Sequence, residues 1–198
     1  MNQVADIEKV DGRHARSHSS RRRIVEAMRQ LIEQGDLVPS AARVAELAGV
    51  GQRTVFRHFD DMDTLYREIS AGVEEQVMPI VAAPYAASDW RANVRDMVGR
   101  RAKVLEAMLP FRLAADVKRY GSPFLTAQQE QVLAMERALL LRLLPVPVQT
   151  ERDSVEALCV TLSFQTWRAL RRDQNLSAED AARVVSHMAE ALLAKMPG

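Results

Sequence analysis

An all-α fold is expected of these 198 residues. Apolar side chains recur at three- and four-residue steps along most of the chain, and no stretch alternates as a half-buried strand would. Gly and Pro fall where those steps lose phase. With 47% hydrophobic and 27% charged residues the chain can bury a sizeable core.

Residues 1–18 mix Gly, charges and His without either period, and a mobile arm is expected there. From Ser19 the period is helical through Ile24, Ala27, Met28, Leu31 and Ile32, and Gly35 stops it as a C-terminal cap. Pro39-Ser40 opens a second short helix with the stripe Val44, Ala45, Leu47 and Ala48; Ser40 is placed to accept from free first-turn amides. Gly49-Val50-Gly51 breaks the pattern, and the segment up to Phe59 is too short to be a stable helix alone. Asp60 and Asp61 suit the start of a fourth helix, in which Leu65, Ile69, Val73 and Val77 share a face and which Pro79 and Pro84 end. The stretch "AAPYAAS" reads as a linker. Long helices are expected at about 88–109, 111–120, 125–144, 151–173 and 177–196, the last capped by Ser177 with Glu179 and Asp180 in its first turn. The expected organisation is an arm (1–18), a three-helix domain (19–66), a connecting helix and linker (67–84) and a helical domain (85–198).

The net charge of +1 advertises no polyanionic partner, so any basic surface must come from uneven placement. Cys159, the single cysteine, lies in an apolar run, which excludes a disulfide within the chain and fits a reducing compartment. "ALLLRLLPVPV" is interrupted and far short of the roughly 20 residues of a spanning helix, so a cytoplasmic location is expected. No nucleotide loop, metal-ligand spacing or nucleophile motif is present, so neither enzyme activity nor cofactor nor metal is expected. His14 and His18 are four apart, but in the arm they read as groove or solvent residues.

Ala45, Gly49, Val50 and Val55 have the spacing of a helix-turn-helix: a small residue where two helices touch, a glycine at the turn, then apolar residues docking the second helix. Val55, Phe56 and Phe59 are expected to face inward. Arg53 and Arg57, four apart, share an outward face with Gln52, Thr54 and His58 nearby, where Arg can meet guanine in a major groove. A helical hairpin with a solvated cationic face is the plainer alternative. Against it stand Arg21, Arg22 and Arg23, read as the first turn of the first helix, where cations oppose the dipole. With Arg13 and Arg16 they make a cationic patch: residues 13–57 hold nine Lys or Arg against four Asp or Glu. Phosphates would supply the missing negative charge.

Residues 20–66 resemble the DNA-binding region of the TetR family of bacterial transcriptional regulators, through "RRRIVEAMRQLI", Gly35, "VAELAGVGQRTVFRHF" and "LYREI". "SFQTWRALRRDQNLSAEDAARVV" is similar to the last two helices of many members. The resemblance implies an all-helical dimer with three N-terminal DNA-binding helices, followed by a helical domain for ligand binding and dimerisation. Gly51 stands where the family often has a capping Ser, Arg53 replaces a frequent Gly, Phe56 a common Tyr and Met62 a common Lys. Two usual backbone contacts are thereby lost, and their burden shifts to Arg21, Arg22, Arg43 and Ser40. The expected DNA-binding set is Arg13, Arg16, Arg21, Arg22, Ser40, Arg43, Gln52, Arg53, Thr54, Phe56, Arg57 and His58.

The helix from Glu151 is apolar on two faces, Val155, Leu158, Cys159, Leu162 and Ala169 on one and Ala157, Val160, Phe164 and Trp167 on the other, so both need cover. One face is expected to meet a symmetry mate through Val155, Leu158, Cys159 and Leu162, with Val185, Met188 and Leu192 of the last helix. A central helix of a larger monomeric bundle is the alternative. An adaptable pocket for a small effector is expected from Trp90, Met97, Arg101, Met108, Phe111, Phe124, Phe164 and Trp167, although such residues are individually more often core, and Arg101 more often a snorkelling side chain. The whole reads as a dimeric repressor of a (pseudo)palindromic operator. Release follows when an effector tilts the helix from Asp61 through Ala82, read as the one element joining the reading unit to the pocket. An all-helical small-molecule-binding protein without specific DNA binding is the rival.

Overall fold

The computed structural model describes residues 3–197, with side chains from residue 17 onward. The described backbone forms α1 (Gln3–Glu33), α2 (Ala41–Ala48), α3 (Gln52–His58), α4 (Met62–Ala82), α5 (Trp90–Lys118), a 3-10 turn (Arg119–Gly121) and α6 (Pro123–Leu141). There follow α7 (Val146–Gln149), α8 (Arg152–Thr161), α9 (Phe164–Arg168), a π-helical turn (Ala169–Asp173) and α10 (Ala178–Leu193). No strand occurs among the described residues, and no helix is long and apolar enough to cross a membrane.

Glycine and serine mark the ends where the sequence places them. At the end of α1 the Gly35 amide donates to Ile32 O (3.0 Å) and the Asp36 amide to Leu31 O (2.9 Å), with Gly35 at φ +95°. That pairing consumes carbonyls the helix end would leave open, and it requires the left-handed backbone glycine accepts without strain. Ser40 caps α2, Ser177 caps α10, and Gly51 precedes α3 without a side-chain cap.

Several boundaries differ from the sequence reading. The helix read from Ser19 begins at Gln3, within the stretch read as an arm; residues 3–18 hold no Pro and a single Gly, so no residue type there forbids it. Arg21, Arg22 and Arg23 consequently lie inside a helix rather than in its first turn. Pro79 and Pro110 do not end helices but sit within α4 and α5. A prolyl residue costs a helix interior about 3 kcal/mol; burial of Val77, Leu105, Leu109 and Ala114 beside them outweighs it. Residues 151–173 are not one helix: Ser163 interrupts them by accepting from the Thr166 amide at 3.2 Å, which starts α9.

The chain divides into two compact units, and the division is not a single cut near residue 84. Residues to 74 and 110–125 form the first; 75–109 and 126 onward form the second. In the first, Ile24, Met28, Ile32, Val44, Val55, Phe59 and Leu65 are almost fully buried. The segment 110–125 is held there by Ser122, whose hydroxyl donates to Asp63 at 2.6 Å, and by Phe124, whose ring lies 4.7 Å from the Arg67 guanidinium. In the second, α8 packs on α10, and Leu140, Leu158, Phe164, Trp167 and Leu193 are buried. Its linker is tied down: Arg100 donates to Ala83 O and, at 2.9 Å, to Pro84 O, and Asn93 pairs with both backbone groups of Ala87. Three helices, α4, α5 and α6, contribute residues to both units, so the fourth helix is not the one element joining them.

Candidate nucleic-acid interface

The turn between α2 and α3 is set by Gly49 at φ +61°, its amide bonded to Glu46 O and that of Val50 to Ala45 O, each at 3.0 Å. Arg23 reaches this turn from 25 or more positions away: its Nε donates to Ala48 O (2.9 Å) and its Nη2 to Gly49 O (2.6 Å). The left-handed φ is what demands glycine at residue 49; a Cβ there would lie 2.9 Å from that Nη2, which the flexible end of the arginine could relieve only by shifting from the turn. Beyond the turn, Val55 and Phe59, four apart, are 1% exposed and anchor α3 to its unit.

The opposite face of α3 is open. Gln52, Arg53, Phe56 and Arg57 are exposed and Thr54 is half-buried. Neither Arg53 nor Arg57 makes a salt bridge among the described residues. Phe56 does not face inward as expected: it is 48% exposed, because one helical step of 100° from Val55 turns it away from the core. His58 is not part of the open face; its Nε2 is buried without a partner among the described residues, and burial, then Arg57 and Arg21, hold its pKa below the ordinary value.

The three consecutive arginines do different things. Arg21 Nη1 donates to His58 O at 2.7 Å, its other nitrogen pairs with Glu68, and its guanidinium lies 4.3 Å from the centroid of the Phe59 ring. It therefore fixes the end of α3 rather than standing free for a phosphate, which corrects its expected role. Arg23 caps α2. Of the three, only Arg22 is exposed with neither an ion pair nor a side-chain hydrogen bond among the described residues. Arg43 is paired with Asp36 at 2.8 Å, so that expected phosphate contact is already engaged, whereas the Ser40 hydroxyl accepts from the Arg43 amide and keeps its own proton to donate. Arg13 and Arg16 lie outside the residues whose side chains are described.

Tyr66 lies in the "LYREI" stretch, where nothing local in the sequence marks its burial. It is 4% exposed, its hydroxyl lacks a partner among the described residues, and burial, with Asp36 and Asp63 adding to it, pushes its pKa up to about 12.

In the second unit the expected pocket residues are dispersed. Met97 and Arg101 line a cavity of about 210 Å³ with Leu133, Glu136, Arg137, Leu140, Glu156, Cys159, Leu162 and Ser163. Trp167 instead borders an open groove of about 550 Å³ along α5 and α10, its indole donating to Glu106 at 3.0 Å. Arg171 also binds Glu106, and its hydrogen bond is the largest cause holding that carboxyl below the usual range. Trp90 stacks under its neighbour Arg91, Phe164 is 2% exposed core, Met108 is half-buried, and Phe111 and Phe124 belong to the first unit. The structure thus does not gather these eight side chains at one place. Nor do the expected interface residues form one free surface. Val155, Leu158, Leu162 and Val185 are at most 4% exposed within the protomer, while Cys159, Met188 and Leu192 keep accessible surface. Val160, assigned to the other face, is 62% exposed.

A short helix held by its neighbours, with its cations turned to solvent, is the arrangement of a helix-turn-helix DNA-binding protein. Residues 24–69 match the family described as bacterial regulatory proteins, tetR family, which marks this N-terminal segment as a DNA-binding domain of that kind. Two solved structures share the fold. One is a transcriptional regulator from Rhodococcus sp. Rha1 (16% identity, TM-score 0.66, 89% of this chain and 97% of that one). The other is a proposed TetR-family transcriptional regulator from Mesorhizobium loti MAFF303099 (20% identity, TM-score 0.63, 92% and 99%). At these identities the likeness is one of fold. No curated protein matches the sequence.

Proposed function

We propose that the chain is a dimeric repressor that reads a (pseudo)palindromic operator through α3 and leaves it when a small molecule binds the second unit. The observation that carries the DNA-reading part is the open α3 face, where Arg53 and Arg57 stand exposed beside Gln52 and without salt bridges among the described residues. Bidentate arginine contacts to guanine need that freedom. Arg22 supplies a sequence-independent phosphate contact. Dimerisation is assigned to the outer sides of α8 and α10, where Val160 and Met188 remain exposed. Repression follows from occupancy of a promoter; ligand-driven release follows from a change in spacing between two α3 helices that must lie about 34 Å apart.

Selection of binding sites from random duplex DNA tests this reading. Recovered sites should contain inverted half-sites about one helical turn apart, centre to centre. A single unrepeated half-site would remove the dimeric operator. The rival, a binding protein without DNA specificity, predicts no enriched sequence at all.

A further inference from the structure

We infer that the 210 Å³ cavity formed by α5, α6 and α8 receives an uncharged, mainly apolar molecule of about a dozen non-hydrogen atoms, comparable to a bicyclic aromatic with a short polar tail. This inference rests on the effector reading above and names the ligand class for it.

Charge selects first. Arg101 is engaged at two of its nitrogens, its Nε donating to Leu162 O at 2.8 Å and its Nη2 paired with Glu136 at 2.5 Å, and both side chains are largely buried, 15% and 12% exposed. At the rim Arg137 pairs with Glu156 at 2.8 Å and also approaches the Cys159 sulfur at 3.6 Å. The titratable lining therefore consists of two cations, two carboxylates and a thiol that burial pushes further towards its neutral form. Its charges cancel in pairs. An anion binding Arg101 would have to displace Glu136 and strand a poorly solvated carboxylate, and a cation would strand Arg101 in the same way. A neutral molecule leaves both pairs intact.

Polarity and size complete the argument. Met97, Leu133, Leu140 and Leu162 supply the apolar wall. The Ser163 hydroxyl is already committed to Thr166, accepting from its amide at 3.2 Å. With few free donors or acceptors, burial of apolar surface must provide the affinity. A cavity of about 150 Å³ is enough for benzene, so this one has room for a ring system and a short substituent.

Three probes of nearly equal size separate the possibilities: tryptophol (neutral), indole-3-acetate (anionic) and tryptamine (cationic), titrated calorimetrically into the full-length protein without DNA. Tryptophol should bind at least tenfold more tightly than either charged probe. Leu133→Trp, at a half-exposed position where folding is not at risk, should fill the cavity and weaken tryptophol at least tenfold, with circular dichroism unchanged. Glu136→Gln frees Arg101 and should reverse the order, making indole-3-acetate the tightest of the three. Equal affinities, no binding by any probe, or tryptophol binding that Leu133→Trp leaves intact would overturn the inference. Operator affinity measured with and without saturating tryptophol then tests the effector reading separately. Selective binding with unchanged operator affinity upholds the ligand class and overturns ligand-driven release.

Discussion

Replacing Arg21 by Met distinguishes a structural staple from a phosphate contact, two roles the sequence alone cannot separate. Arg21 joins α1 to the last carbonyl of α3, to Glu68 of α4 and to the Phe59 ring. A hydrogen bond from a charged donor to a partly buried carbonyl contributes about 1.5–3 kcal/mol. The Glu68 pair, with both side chains more than one-third exposed, adds at most about 0.5 kcal/mol after solvent screening. The ring contact adds about 0.5–1 kcal/mol. Loss of all three should cost the first unit between about 2 and 4.5 kcal/mol, a fall in melting temperature on the order of 10 °C. Urea denaturation followed by circular dichroism reads the stability. Operator affinity measured across a salt series, at a temperature where the variant is folded, reads the charge contacts. If Arg21 is a staple, Arg21→Met lowers stability and leaves the slope of log affinity against log salt unchanged, whereas Arg22→Met leaves stability alone and flattens that slope by about 0.9. An Arg21→Met protein as stable as its parent, with a slope reduced by about one unit, would refute the assignment.

Arg53→Ala and Arg57→Ala should each weaken specific binding by about 1–3 kcal/mol and relax discrimination at defined base pairs; equal losses on operator and random DNA would disprove base reading. Leu158→Glu buries a carboxylate inside the protomer, so it should unfold the second unit, costing several kcal/mol. By contrast Val160→Glu and Met188→Glu should leave the fold intact and yield monomers, which sedimentation would reveal; intact dimers in both would move the interface elsewhere. His58 has its folded pKa depressed below 6.5, mainly by burial, so the unfolded chain binds the proton more readily. Stability should therefore be full above about pH 6.5 and decline as pH falls towards the folded value. His58→Gln should flatten that decline below about pH 6.5, and an unchanged profile would show that His58 is not its source.

What the sequence disclosed were features whose cause is local. Gly35, Ser40, Gly49 and Ser177 act on backbone groups within five positions, and each ends or starts its helix as read. The helix-turn-helix was legible for the same reason, since the turn glycine and the Val55–Phe59 spacing lie within 11 residues. The roles of Arg21 and Arg23 were not, because their acceptors lie 37 and 25 positions away and are carbonyls, which any sequence supplies. Pro110 misled in the other direction: a strong local stop signal was overridden by burial on both sides of it. Ser163 was a local signal overlooked, a capping serine three residues before the Thr166 amide it binds, hidden within a run that kept helical period. The candidate cavity was visible only as Met97 and Arg101, because its remaining walls come from α6 and α8, 30 or more residues on.

The inclusion of 110–125 in the first unit bears on how this protein can be taken apart. A fragment ending after α4 contains all three helices of the DNA-binding domain yet lacks Ser122 and Phe124, and with them the partners of Asp63 and Arg67. It would expose the surface of α4 that this segment covers, inviting aggregation instead of yielding a small stable DNA-binding module. For the same reason, a chimera that grafts this reading head onto a relative's ligand-binding half must carry two pieces of sequence, one before and one after the first half of α5.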